Sequence, residues 1–380
     1  MEHEIFYQVR DRKFLNKVEA LQYASSIPDL TSRQVNFFFY HDVWKNFDRN
    51  LLGKISLKEL YKQRALQIRE NYDYLVLYYT GGPDSHNILR TFLDNNIPLE
   101  EVVIKWPKKL IDSGLYTPNS VDCSAKNFVS EWDLVIKHEL KKLAAEHPKI
   151  KITINDYTEN ITRGYYHEDR FASQNHMHSA VNLLRMQSFT ELEKNPNGKR
   201  VCGITGLDKP LLVNHKGAAW MYFSDDIIMS QPKLIGSYRE NFYWTPDFPL
   251  LTMEMAYQVY LHFKINNLQQ QFLLTSNMGV ELDEIRFDMQ QLYYRLIKPV
   301  IYETWDMRKF QADKPFQGFK ADKDFWFYES PEFEKPKQEW QHHYDSQLSS
   351  VHERFCQVDK TGTKTGYRKY ITSLYYLGDF

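Results

Sequence analysis

Tyr74-Leu75-Val76-Leu77-Tyr78-Tyr79-Thr80-Gly81-Gly82-Pro83-Asp84-Ser85 is the stretch on which the fold turns. Its first six residues form an unbroken apolar run, the pattern of a strand buried on both faces. Thr80-Gly81-Gly82 ends that run, and Pro83 suits a first helical turn, where a missing N–H costs nothing. From Asp84 to Asn95, Ile88, Leu89, Phe92 and Leu93 fall on one stripe until Asn95-Asn96 and Pro98 stop it. The reading is strand, glycine loop, helix.

Working outward, the same alternation continues. Val102–Trp106 reads as a second strand, and Val129, Trp132, Ile136, Leu140 and Leu143 mark an amphipathic helix ending before Pro148. Ile150, Ile152 and Ile154 make a third strand, a helix follows around Met177, Val181 and Leu184, and Val201–Thr205 is a fourth strand. Strands alternating with helices of this length predict an α/β fold whose parallel sheet carries helices on both faces. Residues 72–248 hold this domain. Residues 1–71 read as a small α+β accessory unit: a hairpin over Ile5–Leu15, a strand at Val35–Tyr40 and a helix over Leu57–Asn71. Residues 249–380 read as mostly helical, with the clearest helices at Leu251–Phe263 and Asp283–Leu296. The aromatic segment Phe325–Tyr328 and the tail 359–370 read as irregular, the tail also as mobile.

Composition sets the limits. Of 380 residues, 42% are apolar and 26% charged, enough to bury a core, while 15 Gly and 15 Pro are too few for a low-complexity chain. Lys+Arg of 48 against Asp+Glu of 49 leaves a net charge of −1, so no broad basic face for nucleic acid is expected. No apolar run approaches the ~20 residues of a membrane helix, and Met1-Glu2-His3-Glu4 does not open a signal peptide. Cys123, Cys202 and Cys356 stand far apart, forming neither a CxxC pair nor a disulfide framework. A cytoplasmic protein is expected, with homo-oligomerisation left open.

Thr80–Ser85 carries the chemistry. Glycines let the backbone approach an anion, successive N–H groups can form a nest, and the helix start adds its positive dipole end. Thr80 and Ser85 hydroxyls flank the nest. Asp84 would repel a bare phosphate, so its role is to hold a Mg²⁺ that bridges phosphates. No Gly-x-x-x-x-Gly-Lys-Ser/Thr occurs, which disfavours a Walker-type NTPase.

At these residues the chain resembles the PP-loop ATP pyrophosphatases, whose signature is Ser-Gly-Gly-x-Asp-Ser after the first strand, and among them the asparagine-synthase-like proteins found in bacteriophage genomes. Thr80 replaces the usual Ser and keeps its hydroxyl. The resemblance implies ATP and Mg²⁺ as cofactors, cleavage to AMP and pyrophosphate, and adenylation of a carboxylate or carbonyl oxygen. The partners would be a small-molecule acceptor and an amine or ammonia donor. It implies that Gly206 and Asp208 form the second loop, with Asp208 a further metal ligand and Lys209 neutralising phosphate. It also implies that the strand end at Lys105 passes adenine. A late lysine stabilises the adenylate's transition state in amide-forming relatives, and Lys364 on the tail stands for it here. With no N-terminal cysteine after Met1, no built-in glutaminase is expected.

The alternatives are a nucleoside- or tRNA-modifying enzyme, including sulfur transfer through Cys123, and a nucleotide-binding accessory protein without catalysis. His167, His176 and His178 lack the spacing of a metal site. Glu281, Asp283, Glu284 and Asp288 read as acids complementing a helix dipole.

Overall fold

The computed structural model describes residues 5–106, 132–157, 189–207, 209–225, 237–268, 272–274, 290–292, 297–305, 334–358 and 361–380. At the N-terminus, β1 (Ile5–Val9), β2 (Arg12–Phe14) and β3 (Val35–Phe39) form an antiparallel sheet of order β2-β1-β3. Helix α1 (Lys17–Ser25), capped by the Asn16 side chain, packs on it, and α2 (His41–Lys45) follows. The predicted hairpin is present. Its turn puts Arg10 at a φ of 54°.

Helix α3 (Leu57–Asn71) starts at Ser56, whose hydroxyl accepts from the Glu59 N–H. It leads into β4 (Tyr74–Tyr78), α4 (Pro83–Asp94) and β5 (Glu101–Trp106). A π-helical turn at Trp132–Ile136 enters α5 (Lys137–Glu146), which precedes β6 (Lys151–Asp156). The short α6 (Glu191–Lys194) precedes β7 (Val201–Thr205). Val129 and the helix read around Met177 lie outside the described residues.

A five-stranded, all-parallel sheet flanked by helices results, compatible with a Rossmann-like fold. Its order includes a strand that the sequence conceals. After the antiparallel pair β8 (Leu211–His215) and β9 (Ala218–Tyr222), β10 (Ser237–Asn241) joins the edge beside β7, giving β10-β7-β4-β5-β6. Its sequence, Ser-Tyr-Arg-Glu-Asn, has no apolar run. Charge holds it instead: the buried Arg64 of α3 donates to Glu240 at 2.6 Å and to the Asn241 carbonyl at 3.1 Å, and Tyr72 donates to Glu240 at 2.6 Å.

The C-terminal region departs further from expectation. Helix α7 (Pro249–Ile265) matches the reading, but β11 (Phe272–Leu274) and β12 (Gln290–Leu292) are strands. β12 falls within the helix read over Asp283–Leu296, and its partners are β8 and β11 in a second sheet of order β11-β12-β8-β9-β15. Cross-strand pairing there overrides the 3.6-residue period, as tertiary context can. Two more helices, α8 (Lys298–Ile301) and α9 (Glu334–Ser349), precede β13 (Cys356–Val358), β14 (Lys364–Tyr367) and β15 (Tyr375–Asp379). The tail read as irregular thus contains β14, paired with β13, and its Tyr367 is fully buried. Phe325–Tyr328 lies outside the described residues.

One hydrophobic core runs from Tyr7 through Leu77, Phe242 and Val259 to Leu377. A buried ionic knot ties its distant parts. Lys17 Nζ lies 2.7 Å from Asp225, both side chains excluded from solvent, while Tyr7 donates to Asp225 at 2.9 Å and the Tyr370 N–H donates at 3.1 Å. Removing one charge leaves the other buried and uncompensated, which costs about 3–5 kcal/mol, whereas replacing both by apolar groups is often near neutral. Asp225→Ala should therefore lower urea-unfolding stability by that amount. The double variant Lys17→Met with Asp225→Leu should recover most of it; additive losses would show that the two charges do not depend on each other.

Candidate nucleotide and phosphate site

The sheet order creates the site. From β4 the chain goes through α4 to β5 on one side, while β7 lies on the other side and is followed outward by β10. The strand order reverses between β4 and β7, and it is at the carboxyl ends of such a switch point that open α/β sheets bind ligands. The loops leaving those strands are Thr80–Gly82 and Gly206-Leu207.

The first loop is shaped by its own hydrogen bonds. Ser85 Oγ accepts from the Thr80 N–H at 3.1 Å and donates to the Gly82 carbonyl at 3.1 Å, and Thr80 Oγ1 lies 3.2 Å from it. Gly81 has a φ of 75°, a conformation that side chains resist. Gly82 is the N-cap of α4, has extended backbone and contributes no side-chain cap; Pro83 takes the first turn, as its chemistry predicts. The second loop closes tightly on this turn. A Cβ on Gly206 would lie 3.1 Å from Ile88 Cδ1 and 3.3 Å from both the Asp84 carbonyl carbon and Asp84 Cβ.

Three charged side chains meet at Asp84. Its carboxylate is 3.0 Å from Lys209 Nζ and 3.1 Å from Lys298 Nζ, and it accepts from the Tyr302 hydroxyl at 2.9 Å. Tyr243 donates to the Asp84 backbone carbonyl at 2.6 Å, and Asn87 donates to the Tyr243 hydroxyl at 3.3 Å. Lys209 is almost fully buried and also reaches the Gly206 carbonyl at 3.3 Å. Burial works to raise the Asp84 carboxyl, but the two ammonium groups outweigh it and hold the carboxyl below its ordinary value.

The structure therefore brings together Thr80, Gly81, Gly82, Asp84, Ser85, Gly206 and Lys209. Asp208 lies outside the described residues, as do Cys123, His167, His176, His178 and the acids from Glu281 to Asp288. Among the described residues no cluster of three metal-ligating side chains occurs. Lys105 sends its side chain elsewhere, over the Tyr78 ring at 4.0 Å. Lys364 is also elsewhere: its ammonium donates to the carbonyls of Leu348 at 3.3 Å, Ser349 at 3.4 Å and Val351, closing the C-terminal end of α9. That end is the negative pole of the helix, which accounts for a lysine there. Cys202 is fully buried in β7, where burial pushes its thiol well up; burial also raises Cys356, to about 11.

Lys298, Tyr302 and Tyr243 are the site residues that sequence reading missed. Lys298 and Tyr302 are four apart and both reach Asp84, a helical spacing visible in the sequence. Nothing else set Lys298 apart from the other cations. A separate cleft of about 280 Å³ borders Asn87, Tyr61, Lys58 and Glu303, and no residue of either glycine loop lines it.

No family model, no curated protein and no solved structure matches this chain.

Two outcomes test this geometry. Since Asp84 has a lowered folded-state pKa, its stabilisation is present above the ordinary aspartate value of 3.8 and is lost as pH falls through the folded value. The stability difference between the wild type and Asp84→Asn, measured by urea unfolding, should be largest near neutrality and shrink on acidification below that point. A difference independent of pH would contradict an ionised Asp84. For the α9 terminus, Lys364→Met should cost about 1 kcal/mol in thermal unfolding, as expected for a residue acting on a helix end, and an unchanged melting temperature would contradict that role.

Proposed function

We propose that this chain is a Mg-ATP-dependent adenylating enzyme of the PP-loop type. It would cleave ATP to AMP and pyrophosphate, activating a carboxylate or carbonyl oxygen for attack by an amine or ammonia. The observation that carries this reading is the convergence, at one strand crossover, of the Thr80–Ser85 loop, Gly206 and the Lys209–Asp84–Lys298 cluster.

The residues fit a polyphosphate. Gly81 and Gly82 offer backbone N–H groups at the start of a helix, Thr80 and Ser85 supply hydroxyls, and two ammonium groups stand at the same turn. In the free protein the lysines neutralise Asp84. With a polyphosphate bound the lysines would turn to its oxygens, and the ionised Asp84, together with Asp208 as the resemblance implies, would hold the Mg²⁺. Mg²⁺ would supply neutralisation of the pyrophosphate leaving group. Tyr302 and Tyr243 hold Asp84 from two sides and fix its position while its partners exchange. Lys298, arriving late in the chain, suits the transition-state role that the resemblance assigned to Lys364. Preorganised cations count for more in a water-poor crevice than in bulk, because little reorganisation remains to be done.

The acceptor is read as a small molecule and the nucleophile as an amine or ammonia. No helix among the described residues is long and apolar enough to cross a membrane. A cytoplasmic setting, in the host if the gene is viral, is part of the same proposal.

Incubation with Mg-ATP, ammonia and a panel of carboxylic acids should release AMP and pyrophosphate. Release of ADP and phosphate would overturn the reading. Asp84→Asn and Lys298→Gln should each lower turnover by roughly 10²–10³ while the fold survives, the usual scale for one preorganised electrostatic contact.

A further inference from the structure

Asn87, Arg90, Thr91, Asp94 and Asn95 recur at the three- and four-residue spacing that puts them on one face of α4. That face borders the cleft of about 280 Å³. Lys58 and Tyr61 of α3 add a second wall, and Glu303 and Thr304, the two residues after Tyr302, complete it. The volume lies just below the ~300–1,000 Å³ of most small-molecule pockets, so the occupant must be small.

Charge in the cleft is balanced. Lys58 Nζ lies 3.3 Å from Glu303, and Arg90 pairs with Asp94, its Nε donating at 3.3 Å. Two cations and two carboxylates thus line one concavity, with no net formal charge. A polyphosphate or a lone carboxylate meets as much repulsion as attraction there. A molecule bearing one ammonium and one carboxylate satisfies both signs. The pairs it must open are weak: the Lys58 and Glu303 side chains are about two-thirds exposed, and water screens such pairs. Uncharged polar groups fill out the wall. Asn95 Nδ2 donates to the Thr91 carbonyl at 2.9 Å, which leaves its amide oxygen as an acceptor for a polar rather than an apolar side chain.

Contacts join the cleft to the Asp84 cluster. Tyr61 donates to the carbonyl of Ile301, the end of α8, at 2.8 Å, and its ring lies edge-on to Tyr243 at 5.9 Å. Thr304 Oγ1 donates to Asn87 Oδ1 at 3.3 Å, and Asn87 donates to the Tyr243 hydroxyl that holds the Asp84 carbonyl. A ligand gripping Glu303 and Thr304 therefore also braces Tyr302 and α8, whose Lys298 reaches Asp84.

We propose that this cleft binds a free amino acid with an uncharged polar side chain, its ammonium on Glu303 and Asp94 and its carboxylate on Lys58 and Arg90, as an effector of the nucleotide site. Neither glycine loop lines the cleft, so this amino acid is not the reacting acceptor. The effector role rests on the adenylating reading; amino-acid binding does not.

Calorimetric titration of the full chain with L-serine and with L-glutamine tests the site. The N-acetyl and the amide derivatives of each, which lack one of the two charges, serve as controls. One or both amino acids should bind the wild type, and the derivatives should bind about fivefold more weakly or not at all. Lys58→Gln and Glu303→Gln, at exposed positions that the fold tolerates, should each weaken binding by a similar factor of about five or more. No binding of either amino acid, equal binding of the derivatives, or unchanged binding in either variant would overturn the site. ATP affinity should differ about fivefold or more between saturating amino acid and none, and by linkage ATP should change amino-acid affinity by the same factor. Equal affinities would overturn the effector role. Amino-acid binding by a chain that binds no ATP would refute the adenylating reading and leave the cleft site standing.

Discussion

The pairing of β4 with β7 is the constraint on which the rest of the structure depends. These strands are far apart in sequence, yet they lie in parallel register from Tyr74 opposite Val201 to Leu77 opposite Ile204. Because each strand is followed by a crossover to a different side, the loops at their carboxyl ends meet at the switch point of the sheet. Gly206 then meets the first turn of α4 so closely that a methyl group would have to displace Asp84 or Ile88. Sheet topology, rather than any single side chain, makes the crevice.

Charge is distributed across that crevice with some economy. Asp84 is held ionised by Lys209 and Lys298, so the ligand-free cluster of these three groups carries one net positive charge at neutral pH. Pairing with Asp84 keeps both of these ammonium groups from being buried without a counterion. The opposite sheet face uses another device. There Lys105 and Arg239 are held over Tyr78 and Phe189, and Glu193 is occupied by a phenol and a backbone amide.

Local pattern made some of this legible and left the rest hidden. β4, Pro83, the stripe of Ile88, Leu89 and Phe92, and β7 could be read because continuous apolar runs and glycine punctuation are properties of neighbouring residues. Thr80, Asp84 and Ser85 stood out for the same reason, while Gly206 and Lys209 were named only through the resemblance of the loop. β10 was not: its stability comes from Arg64 and Tyr72, residues more than a hundred and sixty positions away. β12 was misread because its strand state rests on pairing with β8. Lys364 was named as the late lysine of the resemblance, but its position is decided by the end of α9. Lys298 escaped because only the folded chain sets it beside Asp84.

The ionic knot of Lys17, Asp225, Tyr7 and Tyr370 has a consequence for biosynthesis. Its parts are translated far apart, Tyr7 and Lys17 well before Asp225 and Asp225 well before Tyr370, and β15 pairs with β9, which is made much earlier. A nascent chain that has produced β4, α4 and β7 still lacks Lys298 and Tyr302, so Asp84 emerges without two of the partners it has in the finished fold. Asp225 likewise gains the Tyr370 N–H only once that residue has been made, and Leu377 joins the core later still. Closure of such long-range contacts waits on their later partners and costs chain entropy when it comes. The cluster around Asp84 is therefore completed only after Lys298 and Tyr302 have been made, long after the loop that carries Asp84.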